Sequence, residues 1–81
     1  MGSKLYVANL SFETTAEDLT SAFGNYGYVT KSVIEKDKET DRSRGFGFVT
    51  MSTTQEAEAA IDGLDHQDLR GKPLKVNIAR R

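Results

Sequence analysis

Several stretches of this chain alternate between two kinds of side chain, and that alternation limits the fold more than any other feature. Successive side chains of a strand point to opposite faces of its sheet. In 74–79 one set is Leu74, Val76 and Ile78, and the other is Lys75, Asn77 and Ala79. In 4–9 the sets are Leu5 and Val7 against Lys4, Tyr6 and Ala8. In 45–51, extended back by one residue, they are Gly45, Gly47, Val49 and Met51 against Arg44, Phe46, Phe48 and Thr50. A fourth strand is predicted over 28–36, where Val33 and Glu35 share the outer face and Ser32 puts a small polar group toward the core. Such two-sided strands suit an antiparallel sheet with one face on a core and the other in water.

Two segments have helical spacing instead. Leu19, Ala22, Phe23 and Tyr26 form a stripe over 16–26, and Ala57, Ala60, Ile61 and Leu64 form one over 55–64. Thr14 or Thr15 can cap the first, with Glu17 three residues after Thr14, and Gly27 can end it. Thr53 with Glu56 makes a capping box for the second. The segment 37–43 reads as a charged loop, and Arg70-Gly71-Lys72-Pro73 as a turn before the last strand. The order is β-α-β-β-α-β, which predicts an α+β, ferredoxin-like sandwich: a four-stranded antiparallel sheet with both helices on one face. The 81 residues allow one domain with a thin core. It is taken as 4–81, with Met1-Gly2-Ser3 read as an artificial N-terminal remnant.

Which set meets the helices decides what the other face offers. Phenylalanine is usually buried, but burying Phe46 and Phe48 would also bury Arg44 and expose Val49 and Met51. The last strand has no such ambiguity, because burying Lys75 and Asn77 would be costly. That favours the aromatics outside. Tyr6, Phe46 and Phe48 would then form an exposed patch flanked by Lys4, Arg44 and Lys75, and a patch of this kind marks an interaction site.

The net charge of −1 argues against a polyanionic partner when taken as a sum. Its distribution argues otherwise. The helical segments hold Glu13, Glu17 and Asp18, then Glu56, Glu58, Asp62 and Asp65, with no base among them. From His66 onward, Arg70, Lys72, Lys75, Arg80 and Arg81 face a single acid, Asp68. Aromatic faces framed by cations suit single-stranded nucleic acid, since every base has a face that can stack.

The segment RGFGFVTM at 44–51 resembles the octamer of the RNA recognition motif family, fitting seven of its eight positions. Met51 departs from the usual aromatic, at a position on the core set. LYVANL at 5–10 is similar to the family's second motif, a hexamer on the first strand. The stretch TDRSRGFGFVTMST is most similar to chloroplast ribonucleoproteins and to plant and cyanobacterial single-motif proteins. The resemblance implies base contacts by Tyr6, Phe46 and Phe48, and a phosphate contact by Arg44. It also implies contributions from Asn77, Ala79, Arg80 and Arg81 at the end of the last strand. Asn9 reads as loop architecture, and the loops over 37–43 and 65–72 would flank the ligand. The expected partner is single-stranded RNA, with single-stranded DNA left open, and the expected role is in RNA processing, stability or translation. The protein would act as a monomer, alone or beside further RNA-binding modules, with no cofactor, metal or membrane. Its place would be inside the cell, in chloroplast stroma, nucleus or cytoplasm, with a lean to the chloroplast.

Other classes find less support. An acyl-phosphate hydrolase of this architecture needs a phosphate loop after the first strand, where Ser11, Thr14 and Thr15 read as turn and cap residues. His66 is the lone histidine, in a polar loop, and cysteine is absent, so soft metal donors are missing. Gly45 and Gly47 lie in a strand and lack the third glycine of a dinucleotide loop. A peptide-binding module that uses the helices is the stronger alternative. Phe12 and Tyr28 could seed it, although both are expected to be partly buried.

Overall fold

The computed structural model describes residues 2–79. Arg80 and Arg81, expected to contact RNA, lie outside the described residues. The elements run β1 (Lys4–Ala8), α1 (Ala16–Phe23), β2 (Val29–Lys36), β3 (Ser43–Met51), α2 (Thr54–Leu64), β4 (Asp68–Leu69), β5 (Lys72–Pro73) and β6 (Lys75–Ile78). The four long strands form one antiparallel sheet in the order β2-β3-β1-β6. This is the ferredoxin-like arrangement, and its central pair, β3 and β1, carries both sequence motifs.

The aliphatic sets meet the helices. Leu5, Val7, Val49, Met51, Leu74 and Val76 are buried against Leu19 and Phe23 of α1 and Ala57 and Ala60 of α2. Ile78, placed in the same set by alternation, is 36% exposed. It sits at the end of an edge strand, where the core has run out. Ser32 is half-buried, and its hydroxyl bonds the Ala16 carbonyl at 3.2 Å and the Thr20 hydroxyl at 2.7 Å. A polar group is tolerated under α1 because it is satisfied there.

The caps differ from expectation in detail. Thr15, not Thr14, caps α1: its Oγ1 accepts from the Asp18 amide at 3.1 Å, and the Asp18 carboxylate accepts from the Thr15 amide at 3.0 Å. Thr14 is buried instead. Gly24, not Gly27, closes α1. At α2 only half of the expected box forms. Thr53 accepts from the Glu56 amide, but the Glu56 carboxylate turns away to the Ser52 hydroxyl and the Tyr28 amide. It ties the start of β2 to α2 rather than closing the cap on itself.

The 65–72 segment, expected as a loop, contains the small hairpin β4–β5 around Arg70-Gly71. Arg70 and Gly71 both have positive φ, as a tight hairpin turn requires. The hairpin is held from two sides. Arg70 Nε donates to Asp18 Oδ2 at 2.7 Å, and Asn9 Nδ2 donates to the Pro73 carbonyl at 2.7 Å. The second contact gives Asn9, itself at φ 61°, the structural role expected for it.

Candidate nucleic-acid interface

Tyr6, Phe46 and Phe48 lie together on the sheet face away from the helices. Register explains the grouping. Phe48 stands opposite Tyr6 on one side and Val33 on the other, and Tyr6 stands opposite Asn77. Val33, Phe48, Tyr6 and Asn77 thus form one row across the sheet. The next row pairs Phe46 with Ala8 and Ala8 with Lys75. The other end of the face holds Lys4, Thr50 and Lys31 in line.

The three rings touch. Tyr6 lies 5.6 Å from Phe46 and 5.7 Å from Phe48, centroid to centroid, and Phe46 meets Phe48 edge-on at 6.2 Å. These are ordinary attractive aromatic geometries. All three are half-buried: each ring is supported at its sides by its neighbours, with part of it open to water. Lys4 Nζ lies 4.6 Å from the Phe48 centroid and the Arg44 guanidinium 5.5 Å from that of Phe46. Both cations therefore sit over aromatic faces at cation–π range, beside the ring surfaces a base would use.

Two glycines of the octamer shape this face. A β-bulge interrupts the β2–β3 pairing between Ile34 and Lys36, and Gly45 adopts φ 85° nearby, a conformation that glycine tolerates and other residues resist. Gly47 is buried, and a Cβ there would collide with the Val33 carbonyl oxygen. Gly47 thereby lets β2 lie close to the strand that carries the rings.

The neighbouring loop is preorganised. In the 37–42 turn the Asp37 carboxylate accepts from the amides of Glu39 at 2.8 Å and Thr40 at 3.2 Å. These bonds hold its carboxyl below the usual carboxylate range, with the nearby Arg44 charge acting in the same direction. The Asp37 amide also donates to the Arg42 carbonyl at 2.8 Å, which closes the turn beside Arg44.

Lys4, Tyr6, Arg44, Phe46, Phe48, Lys75 and Asn77 are therefore brought to one surface. Ala79 continues the edge strand, its amide donating to the Lys4 carbonyl at 2.8 Å. Sequence reasoning placed Thr50 in the outward set without counting it in the site, and it missed Lys31. Lys31 follows from the same alternation that placed Val33 and Glu35 outside, had it been carried back along β2. Phe12 and Tyr28, expected to be partly buried, are 77% and 70% exposed. Phe12 lies in the connection between β1 and α1 and Tyr28 just before β2, and neither is covered by a neighbouring layer. His66 is exposed, with Nε2 3.2 Å from the Asp65 carboxylate. Among the described residues, no cluster of three His, Cys, Asp or Glu side chains could hold a metal, and no helix is long and apolar enough to cross a membrane.

Comparison with known proteins agrees with this geometry. The RNA recognition motif profile matches residues 5–75. Glycine-rich RNA-binding protein 1 of Mycosarcoma maydis is 52% identical over 79 residues, covering 98% of this chain and 45% of that protein. The 28 kDa chloroplast ribonucleoprotein of Spinacia oleracea is 47% identical over 77 residues, covering 95% of this chain and 33% of that protein. Putative RNA-binding proteins of the cyanobacteria Nostoc and Synechocystis match at 49% and 45% identity. The chain thus spans less than half of the fungal and spinach relatives. Among solved structures, the Sex-lethal protein in complex with RNA superposes with a TM-score of 0.89 at 38% identity, over 95% of this chain and 47% of that one.

Proposed function

The chain belongs to the RNA recognition motif family, and from that premise we propose that the unit over 4–81 binds single-stranded RNA across its open sheet face. The observation that carries this reading is the contact trio of Tyr6, Phe46 and Phe48 beneath two cations. Two or three bases stack on the rings, as single-stranded ligands do on aromatic sheet faces. Arg44, Lys4, Lys75 and Lys31 neutralise phosphates. The Asn77 amide, a donor and an acceptor together, reads a base edge next to Tyr6. Ala79 continues the edge strand, and Arg80 and Arg81 supply two further cations for phosphate. The role is binding, not catalysis. It serves RNA processing, stability or translation, and the spinach relative makes an organelle a reasonable place for it.

A titration of labelled RNA and DNA oligonucleotides, followed by heteronuclear NMR, tests this. Shift changes should map to β1 and β3. Changes confined to the helices, or none with any oligonucleotide, would remove the reading. A second reading has one observation in its favour: Phe12 and Tyr28 are open to solvent, as side chains that dock a peptide would be. The same titration with RNA leaves both unperturbed if they serve such a purpose.

A further inference from the structure

The open face carries one carboxylate, on its edge strand β2 beside Lys4 and Lys31. Glu35 lies half-buried on β2, two residues beyond Val33 and on the same side of the sheet. It lines a shallow concavity of about 310 Å³ together with Lys4, Lys31, Val33, Phe48 and Thr50. Among the described residues, neither the Arg70–Asp18 ion pair nor the His66–Asp65 contact involves Glu35. A negative charge placed on a surface for a polyanion weakens binding wherever it faces phosphate. It can be favourable there only where it faces something that donates hydrogen bonds.

A carboxylate only accepts. The donors in a single-stranded ligand lie on the base edges, which an unpaired strand leaves free. Guanine presents its N1–H and its N2 amino group side by side on its Watson–Crick edge. Two parallel donors match two carboxylate oxygens, as they do in a guanidinium–carboxylate pair. Adenine and cytosine each offer one amino group beside an acceptor. Uracil offers one N–H between two carbonyl oxygens, both of which repel the carboxylate.

The placement suits such a contact. Val33 is the cross-strand partner of Phe48, so Glu35 is its diagonal neighbour, within side-chain reach. A base stacked on Phe48 with its edge toward β2 would lie over Val33 and end at Glu35. We propose that Glu35 makes this concavity a guanine-selective subsite, its carboxylate accepting from N1–H and from the N2 amino group. The inference rests on the reading that this face binds RNA.

The test is fluorescence anisotropy with labelled pentauridylate and with variants in which one uridine at a time becomes guanosine or inosine. Wild-type protein should gain about ten-fold in affinity or more at one position on U→G, the scale of one bidentate base contact. Inosine, which lacks the N2 amino group, should keep only part of that gain. Glu35→Gln should erase the gain while binding pentauridylate as tightly as wild type or more tightly. Retention of the same U→G gain by Glu35→Gln overturns the inference, and so does an equal rise in affinity for every oligonucleotide. Wild-type binding with no guanosine-sensitive position overturns it too, while leaving the RNA-binding face intact. Phe48→Ala separates the two ideas, because it should weaken all of the oligonucleotides together. Absence of wild-type binding to any of them would remove the face itself.

Discussion

Phe48 and Val49 are neighbours in sequence and opposites in environment. Val49 is fully buried under the helices, and Phe48 stands half-open among rings and cations on the other side of the same strand. The larger and more apolar side chain is the more exposed one. Hydrophobicity alone would have placed them the other way round. Their positions follow from alternation combined with what the two helices offer, which is an apolar surface completed by Leu19, Phe23, Ala57 and Ala60. The two faces of the sheet differ in kind: one is removed from water by folding, and the other leaves three rings partly open among cations.

The hardest blow to that contrast should come from the buried side. Phe23→Ala should cost about 3–5 kcal/mol of stability through lost burial and the cavity left behind. That is a large share of the roughly 5–15 kcal/mol typical of a small domain. Urea denaturation measures it. RNA affinity per folded molecule should hold. A stability loss below about 1 kcal/mol would mean that the core is not where the contrast puts it.

The open side should give the converse result. Phe48→Ala should weaken RNA binding by about 1–3 kcal/mol while shifting the urea midpoint far less than Phe23→Ala does. Because Tyr6 lies 5.7 Å from Phe48, the double variant with Tyr6→Ala should depart from additivity, as contacting residues do. Additive losses measured by anisotropy would mean that the rings act as separate sites.

Both sides of this contrast were legible in the alternation of three strands, and the RGFGFVTM octamer and LYVANL hexamer together singled out the same rings. Other features depended on which neighbours a residue meets in space. Thr14 and Thr15 are equivalent as cap candidates in the sequence, and only the reciprocal bonds with Asp18 separate them. The β4–β5 hairpin has strands of two residues, too short for any periodicity, and is held by the distant Asp18 and Asn9. Exposure of Phe12 and Tyr28 reflects the absence of a covering layer, which no local pattern records. Glu56 could be read as a cap residue because its bonds to Ser52 and Tyr28 arise from the way β2 returns beside α2.

A smaller effect sharpens the division of charge between the faces. Binding should weaken with added salt at a slope near −0.7 per phosphate contact. Lys75→Ala, or Lys4→Ala, should reduce that slope by roughly one contact. Glu58→Lys, on the exposed side of α2, should leave it almost unchanged. An equal response from both faces, read from affinities at several salt concentrations, would break the contrast.

The smallest expected effect concerns pH, and it arises from carboxylates outside the ring cluster itself. The Asp18 carboxyl is held below the usual range first by its hydrogen bond from Arg70, then by the Thr15 amide. The Ser52 hydroxyl lowers that of Glu56, and the amides of Glu39 and Thr40 lower that of Asp37. In each case the folded state holds the carboxylate form more firmly than the unfolded chain does. The stability this confers is fully present above the ordinary carboxylate range near pH 4, and is lost as pH falls through that range toward the depressed folded values. Stability should therefore stay level from neutral pH down to about 5 and decline below about 4. Asp18→Asn should flatten the acid limb, because its amide has no proton to take up, and should leave RNA affinity at neutral pH unchanged. Thermal melts across pH 2–7 read the first effect and anisotropy the second. An acid limb of the same steepness in Asp18→Asn would show that the Arg70–Asp18 latch adds no pH dependence to the fold.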